Sequence, residues 1–98
     1  MTIDLKKFGS TLISRQSGKE AYAAFQSSLK GVLDNEDVVV DFKDVITFSP
    51  SWGDEFITPL AERFSNRLKL AHTENPSVHT SLQILERSNN IKFNTAQI

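Results

Sequence analysis

The chain has 98 residues, with 11 Lys+Arg against 12 Asp+Glu, a formal net charge of −1 and no cysteine. That length fits one domain, burying roughly 60–70% of the surface its unfolded chain exposes. The charge balance lacks the basic stripe of a protein built to neutralise phosphate backbones, and without cysteine there is no disulfide scaffold, thiolate metal site or Cys nucleophile.

No apolar run approaches the ~18 residues that span a bilayer, and the first residues carry no apolar stretch of signal-peptide length. The expected location is the cytoplasm, with neither a membrane nor a nucleic acid as partner.

In chain order, residues 2–8 alternate loosely, with Ile3 and Leu5 on one side, and read as an edge strand. Gly9 and Ser10 signal a turn, after which Thr11, Leu12 and Ile13 continue or pair with that strand. Ser17 and Glu20 have the spacing of a capping box, which predicts a helix from there to about Leu33. Tyr22, Phe25, Leu29 and Val32 form its apolar face, widened by Ala21 and Ala24. Residues 34–37 are a solvated acidic loop.

Residues 38–42 form the clearest strand. Three consecutive valines favour a pleated, buried position, with Val38, Val40 and Phe42 on one face. So apolar a strand is expected at the centre of the sheet. A turn at Lys43 and Asp44 leads through residues 45–48 to a second helix. Trp52, Phe56, Leu60 and Phe64 recur there at steps of four, with Ile57 beside them. Pro59 falls inside this stripe. It removes one backbone hydrogen bond and crowds the carbonyl of Glu55, so a kink or break is expected.

Residues 68–72 read as a further strand. Asn75 followed by Pro76 has the signature of a capped helix start, and Val78, Leu82 and Leu85, with Ile84 alongside, give that helix its apolar edge. Asn89 and Asn90 end it; Ile91, Lys92 and Phe93 read as a last short strand or a frayed tail. The alternation of strands and helices predicts a single α/β domain over residues 1–98, with about three helices and a sheet that contains some parallel pairs.

One stretch carries a resemblance. Asp41 and Phe42 close a strand, a loop follows, and a helix opens on Ser51, Trp52, Gly53, Asp54, Glu55 and Phe56. Together with Ser14, Arg15 and Gly18 upstream, this order of motifs resembles the STAS-like domains, small bacterial and phage-borne relatives of the STAS modules found in anti-sigma factor antagonists. The resemblance covers about residues 14–90. It implies a STAS-like fold, a mixed sheet of about four strands with about three helices packed mainly on one face, and a non-enzymatic regulatory role in protein–protein interaction. In the antagonists, a partner kinase of the histidine-kinase-like ATPase fold phosphorylates a serine at this junction. Ser51 matches it by position, so the implied partner is such an ATPase. The antagonists carry Asp-Ser-Ser-Gly at the loop; this chain has Ser49, Pro50, Ser51 and Trp52 there.

The candidate site is therefore the junction over residues 49–56, with Ser49, Ser51, Trp52, Asp54, Glu55 and Arg15 as partner-contacting residues and Ser51 as candidate phosphoacceptor. A phosphate there meets unpaired amides at a helix start and repulsion from Asp54 and Glu55. The competing structural readings make Ser51 the helix cap, or make Ser49 the cap with Pro50 as first helical residue. Arg15 reads as an ion-pair partner of Asp54 or Glu55, as a phosphate or nucleotide contact, or simply as a surface arginine with a weak ion pair. Trp52 is either an exposed anchor or the first residue of the core stripe. Asp41 reads as a tie from the strand end to a nearby amide.

His72 and His79 have no partners at metal-ligand spacing. No Gly-rich phosphate loop, nucleophile elbow or acid–base pair is recognisable. No metal, cofactor or catalytic residue is assigned, and the chain is read as a binding module rather than an enzyme. The alternative is a standalone effector, such as a phage-encoded inhibitor, that blocks a host complex by binding it.

Overall fold

A computed structural model describes residues 1–96. Its strands are β1 (Thr2–Asp4), β2 (Thr11–Leu12), β3 (Val38–Asp41), β4 (Thr47–Phe48), β5 (Leu68–Ala71) and β6 (Asn94–Ala96). Its helices are α1 (Arg15–Leu29), α2 (Pro50–Phe64) and α3 (Pro76–Asn89).

Four strands form the main sheet in the order β1-β3-β5-β6, with every pairing parallel. A helix lies in each link between neighbouring strands, so no hairpin sets an antiparallel pair. The α/β architecture with three helices and a four-stranded sheet is as expected, and its pairing is uniform where mixed pairing was anticipated. All three crossovers step the same way along the sheet. Under the right-handed rule for parallel crossovers, that stacks the three helices on one face.

Burial agrees with one covered face. Ile3, Val38, Val40, Leu68 and Leu70 point at the helices and are buried. On the opposite face Thr2 and Asp4 are exposed, while Val39, Asp41 and Lys69 are half-buried. Parallel sheets are normally covered on both faces; this one tolerates an open face because polar side chains line much of it.

The central strand and the second helix are where the sequence placed them. β3 lies between β1 and β5. In α2, Trp52, Phe56, Ile57, Leu60 and Phe64 are all buried. Pro59 lies inside α2 without ending it. A helix-interior proline costs about 3 kcal/mol, and the apolar side chains on both sides of it each contribute about 1.5–3 kcal/mol of burial. Packing therefore overrides the local break.

Four local expectations are corrected. The first strand stops at Asp4 and gives way to a 3-10 turn over Leu5–Phe8, which buries Leu5. Thr11 and Leu12 pair with β4 rather than with β1. The cap of α1 is Ser14, whose Oγ accepts from the Ser17 amide at 3.0 Å, while Glu20 is engaged by Gln16 at 3.1 Å. The predicted box was one turn too late, and α1 ends at Leu29, ahead of the poor helix former Gly31. The last strand is β6, not residues 91–93. Asn90 takes a left-handed conformation (φ 52°) and returns its amide to the Glu86 carbonyl, so residues 91–93 complete the turn out of α3.

Candidate functional site

The two-stranded β2–β4 ladder builds the site. It is parallel, and it places the loop entering α1 beside the loop entering α2. The Ser49 amide donates to the Leu12 carbonyl at 2.9 Å, and the Ser49 hydroxyl donates to the Ile13 carbonyl at 2.6 Å. The N-termini of α1 and α2 are thus held side by side at the same end of the molecule.

Ser49 is the cap of α2. Its Oγ accepts from the Trp52 amide at 3.2 Å, and Pro50 occupies the first turn without needing a backbone donor. This leaves Ser51 free of capping duty. Ser51 is half-buried, and its hydroxyl has no hydrogen-bond partner among the described residues. It lines a cavity of about 270 Å³ together with Pro50 and Asp54 of α2, Arg15 of α1, and Ile84 and Ser88 of α3.

Arg15 bridges the two helix starts. One guanidinium nitrogen lies 3.1 Å from Asp54 Oδ2 and 2.9 Å from Glu55 Oε2. Both ion-pair alternatives read from the sequence are realised at once. The hydrogen bonds to Asp54 and Glu55 raise the arginine pKa above its already high ordinary value.

Asp54 is the hub. Beyond Arg15 on α1, its Oδ1 accepts from Thr58 Oγ1 on α2 at 3.1 Å and from Asn89 Nδ2 on α3 at 3.5 Å. One carboxylate therefore touches all three helices. Partial desolvation pushes its pKa up, but the hydrogen bonds from Arg15, Thr58 and Asn89 outweigh that, and the carboxyl sits below its usual value.

Trp52 does not belong to the surface of this site. It is 1% exposed, stacked on Phe56 with ring centroids 5.0 Å apart and flanked by Phe48 and Phe8 at 6.0 and 6.1 Å. The anchor reading is corrected to the core reading. Its position on the α2 stripe, facing the sheet, dictates this.

Asp41 closes the end of β3 by accepting from the Lys43 amide at 2.9 Å, as its sequence position suggested, and it also lies 2.7 Å from His72 Nδ1. His79 is exposed on α3 and is not part of that pair. Among the described residues no group of three His, Cys, Asp or Glu side chains has the arrangement of a metal site.

Sequence reasoning missed Thr58, Ile84, Ser88 and Asn89. Thr58 carried a local signal, four residues after Asp54 on one helix face. The α3 residues carried none, because only the packing of α3 on α2 brings them to Ser51. A scan of family models, a search of curated proteins and a search of solved structures return no match to this chain.

Proposed function

We propose that the chain is a non-enzymatic regulatory module of the STAS-like kind. It docks a protein partner through the surface that Arg15, Ser51, Asp54 and Glu55 form at the helix starts. The partner is an ATPase of the histidine-kinase-like fold. The partner transfers the γ-phosphoryl group of its nucleoside triphosphate to Ser51 Oγ, releasing nucleoside diphosphate and the hydroxyl proton, and the added negative charge beside Asp54 and Glu55 switches docking off.

The observation that carries this reading is the division of labour between two serines. Ser49 takes the capping role, with both its hydroxyl contacts satisfied. Ser51 stands two residues later, lining an open cavity, with a hydroxyl that has no partner among the described residues. A serine whose structural work is done by its neighbour is available for contact and modification.

Affinity capture from the native host tests this, using the wild-type chain and Ser51→Asp, with phosphosite mapping by mass spectrometry. The reading requires an ATPase of this type on the wild type but not on Ser51→Asp, and phosphate on Ser51. Capture of one unrelated partner by both forms, with Ser51 unmodified, makes the chain a constitutive binder and overturns it.

A further inference from the structure

A second cavity lies at the far end of α2 from Ser51, about 20 Å along a helix of 15 residues. Its volume of about 610 Å³ falls within the roughly 300–1,000 Å³ of small-molecule sites. Ala61, Leu68, Ile91 and Phe93 form its apolar walls. Leu68 and Phe93 are core residues, so the floor is a rigid part of the domain.

The rim consists of Ser65, Asn66, Lys92 and Asn94. Each bears a hydrogen-bond donor, and none of these four side chains makes an intramolecular hydrogen bond or ion pair among the described residues. Three nearby cations are engaged elsewhere. Arg63 reaches Gln26 at 3.4 Å, Arg67 donates to the Leu33 and Glu36 carbonyls at 2.9 and 3.0 Å, and Lys69 lies 3.8 Å from Asp37. Among the described residues Lys92 is the single charged side chain of this lining; the nearby Glu86, which lines two adjoining cavities with Lys92, is held by the Phe93 amide at 2.8 Å.

We propose that this cavity binds a small amphiphile with an apolar, aromatic or branched body and a carboxylate head. The body covers Leu68 and Phe93. The carboxylate, an acceptor-only group, meets the ammonium of Lys92 and the amides of Asn66 and Asn94. A neutral apolar ligand gains no charge-assisted contact from these exposed donors, which stay with water, and an amine places like charges together.

The test is a titration of the 15N-labelled full chain with 4-phenylbutyrate, 4-phenylbutan-1-ol and 4-phenylbutylamine, followed by amide shifts. The expected result is saturable shifts confined to residues 61–68 and 91–94 for the carboxylate. The alcohol should bind about tenfold more weakly. Lys92→Glu, an exposed substitution, should abolish the preference for carboxylate and favour the amine, and Ala61→Trp should fill the cavity and weaken all three. The proposal is overturned by absent shifts, by shifts scattered over the surface, or by equal affinity for all three compounds. It is likewise overturned if Lys92→Glu changes nothing while the spectrum stays folded.

Discussion

Gly18 lies against the backbone of Trp52 so closely that a Cβ at Gly18 would stand 2.5 Å from the Trp52 carbonyl oxygen. The absent side chain is what lets α1 and α2 meet at their first turns. That close crossing in turn lets Arg15, three residues before Gly18, reach Asp54 and Glu55. The contact is with backbone rather than a flexible side-chain end, so the helices must separate to admit a methyl group. Gly18→Ala is expected to destabilise the domain by about 1–3 kcal/mol, as overpacking does, despite alanine's better helix propensity. A chemical-denaturation midpoint measures it; an unchanged or raised midpoint contradicts the crossing geometry.

The two serines of the junction are expected to separate in stability. Ser49→Ala removes the acceptor for the Trp52 amide and should cost about 1 kcal/mol. Ser51→Ala removes a hydroxyl with no partner among the described residues and should stay within about 0.5 kcal/mol of wild type. Thermal unfolding of both variants checks the order, and a reversal would make Ser51 the cap.

Much of this arrangement was legible in the chain. The valine run at residues 38–40, the α2 stripe and the Asn75–Pro76 start each combine a strong period or cap with local chemistry that agrees. The Arg15 bridge followed once parallel connectivity put both helix starts at one end. Other features have no such local imprint. β2 and β4 are two residues each, too short for any period. β6 reads Asn94, Thr95, Ala96, a polar edge strand recognisable only from its pairing with β5. Ser14 and Ser17 are both credible caps, and what separates them is the β2–β4 ladder, which fixes where the chain must turn into α1. The environment of Ser51 depends on α3, remote in sequence, and no pattern within residues 49–56 announces it.

Burial of Trp52 separates a core role from a docking role. Trp52→Ala should cost about 3–5 kcal/mol, a large share of the roughly 5–15 kcal/mol a domain possesses. Trp52→Phe should fold and keep whatever partner affinity the wild type has. Trp52 is the single tryptophan, so its emission should be blue-shifted in the folded chain and move to the red on unfolding. Emission at the solvent-exposed wavelength in the native state would contradict the packing described here.

Asp54 gives the stability a pH dependence of defined sign. Its folded pKa lies below its ordinary value. The folded state therefore binds the proton less readily than the unfolded chain, and the stabilisation is present above the unfolded pKa and fades as pH falls through the folded one. Thermal midpoints should decline on acidification below about pH 4. Asp54→Asn should make that decline shallower. A midpoint that rises on acidification over the same range, or an unaltered profile in Asp54→Asn, would contradict the hub role of this carboxylate.

The central claim is that the exposed face of the α1 and α2 starts is a docking surface switched by charge at Ser51. The most direct measurement is titration calorimetry of an ATPase of the proposed kind, once affinity capture supplies one, against the wild-type chain, Ser51→Ala and Ser51→Asp. The account predicts that Ser51→Ala binds within about twofold of wild type and that Ser51→Asp binds at least about tenfold more weakly. Equal affinity for all three forms would contradict the switch.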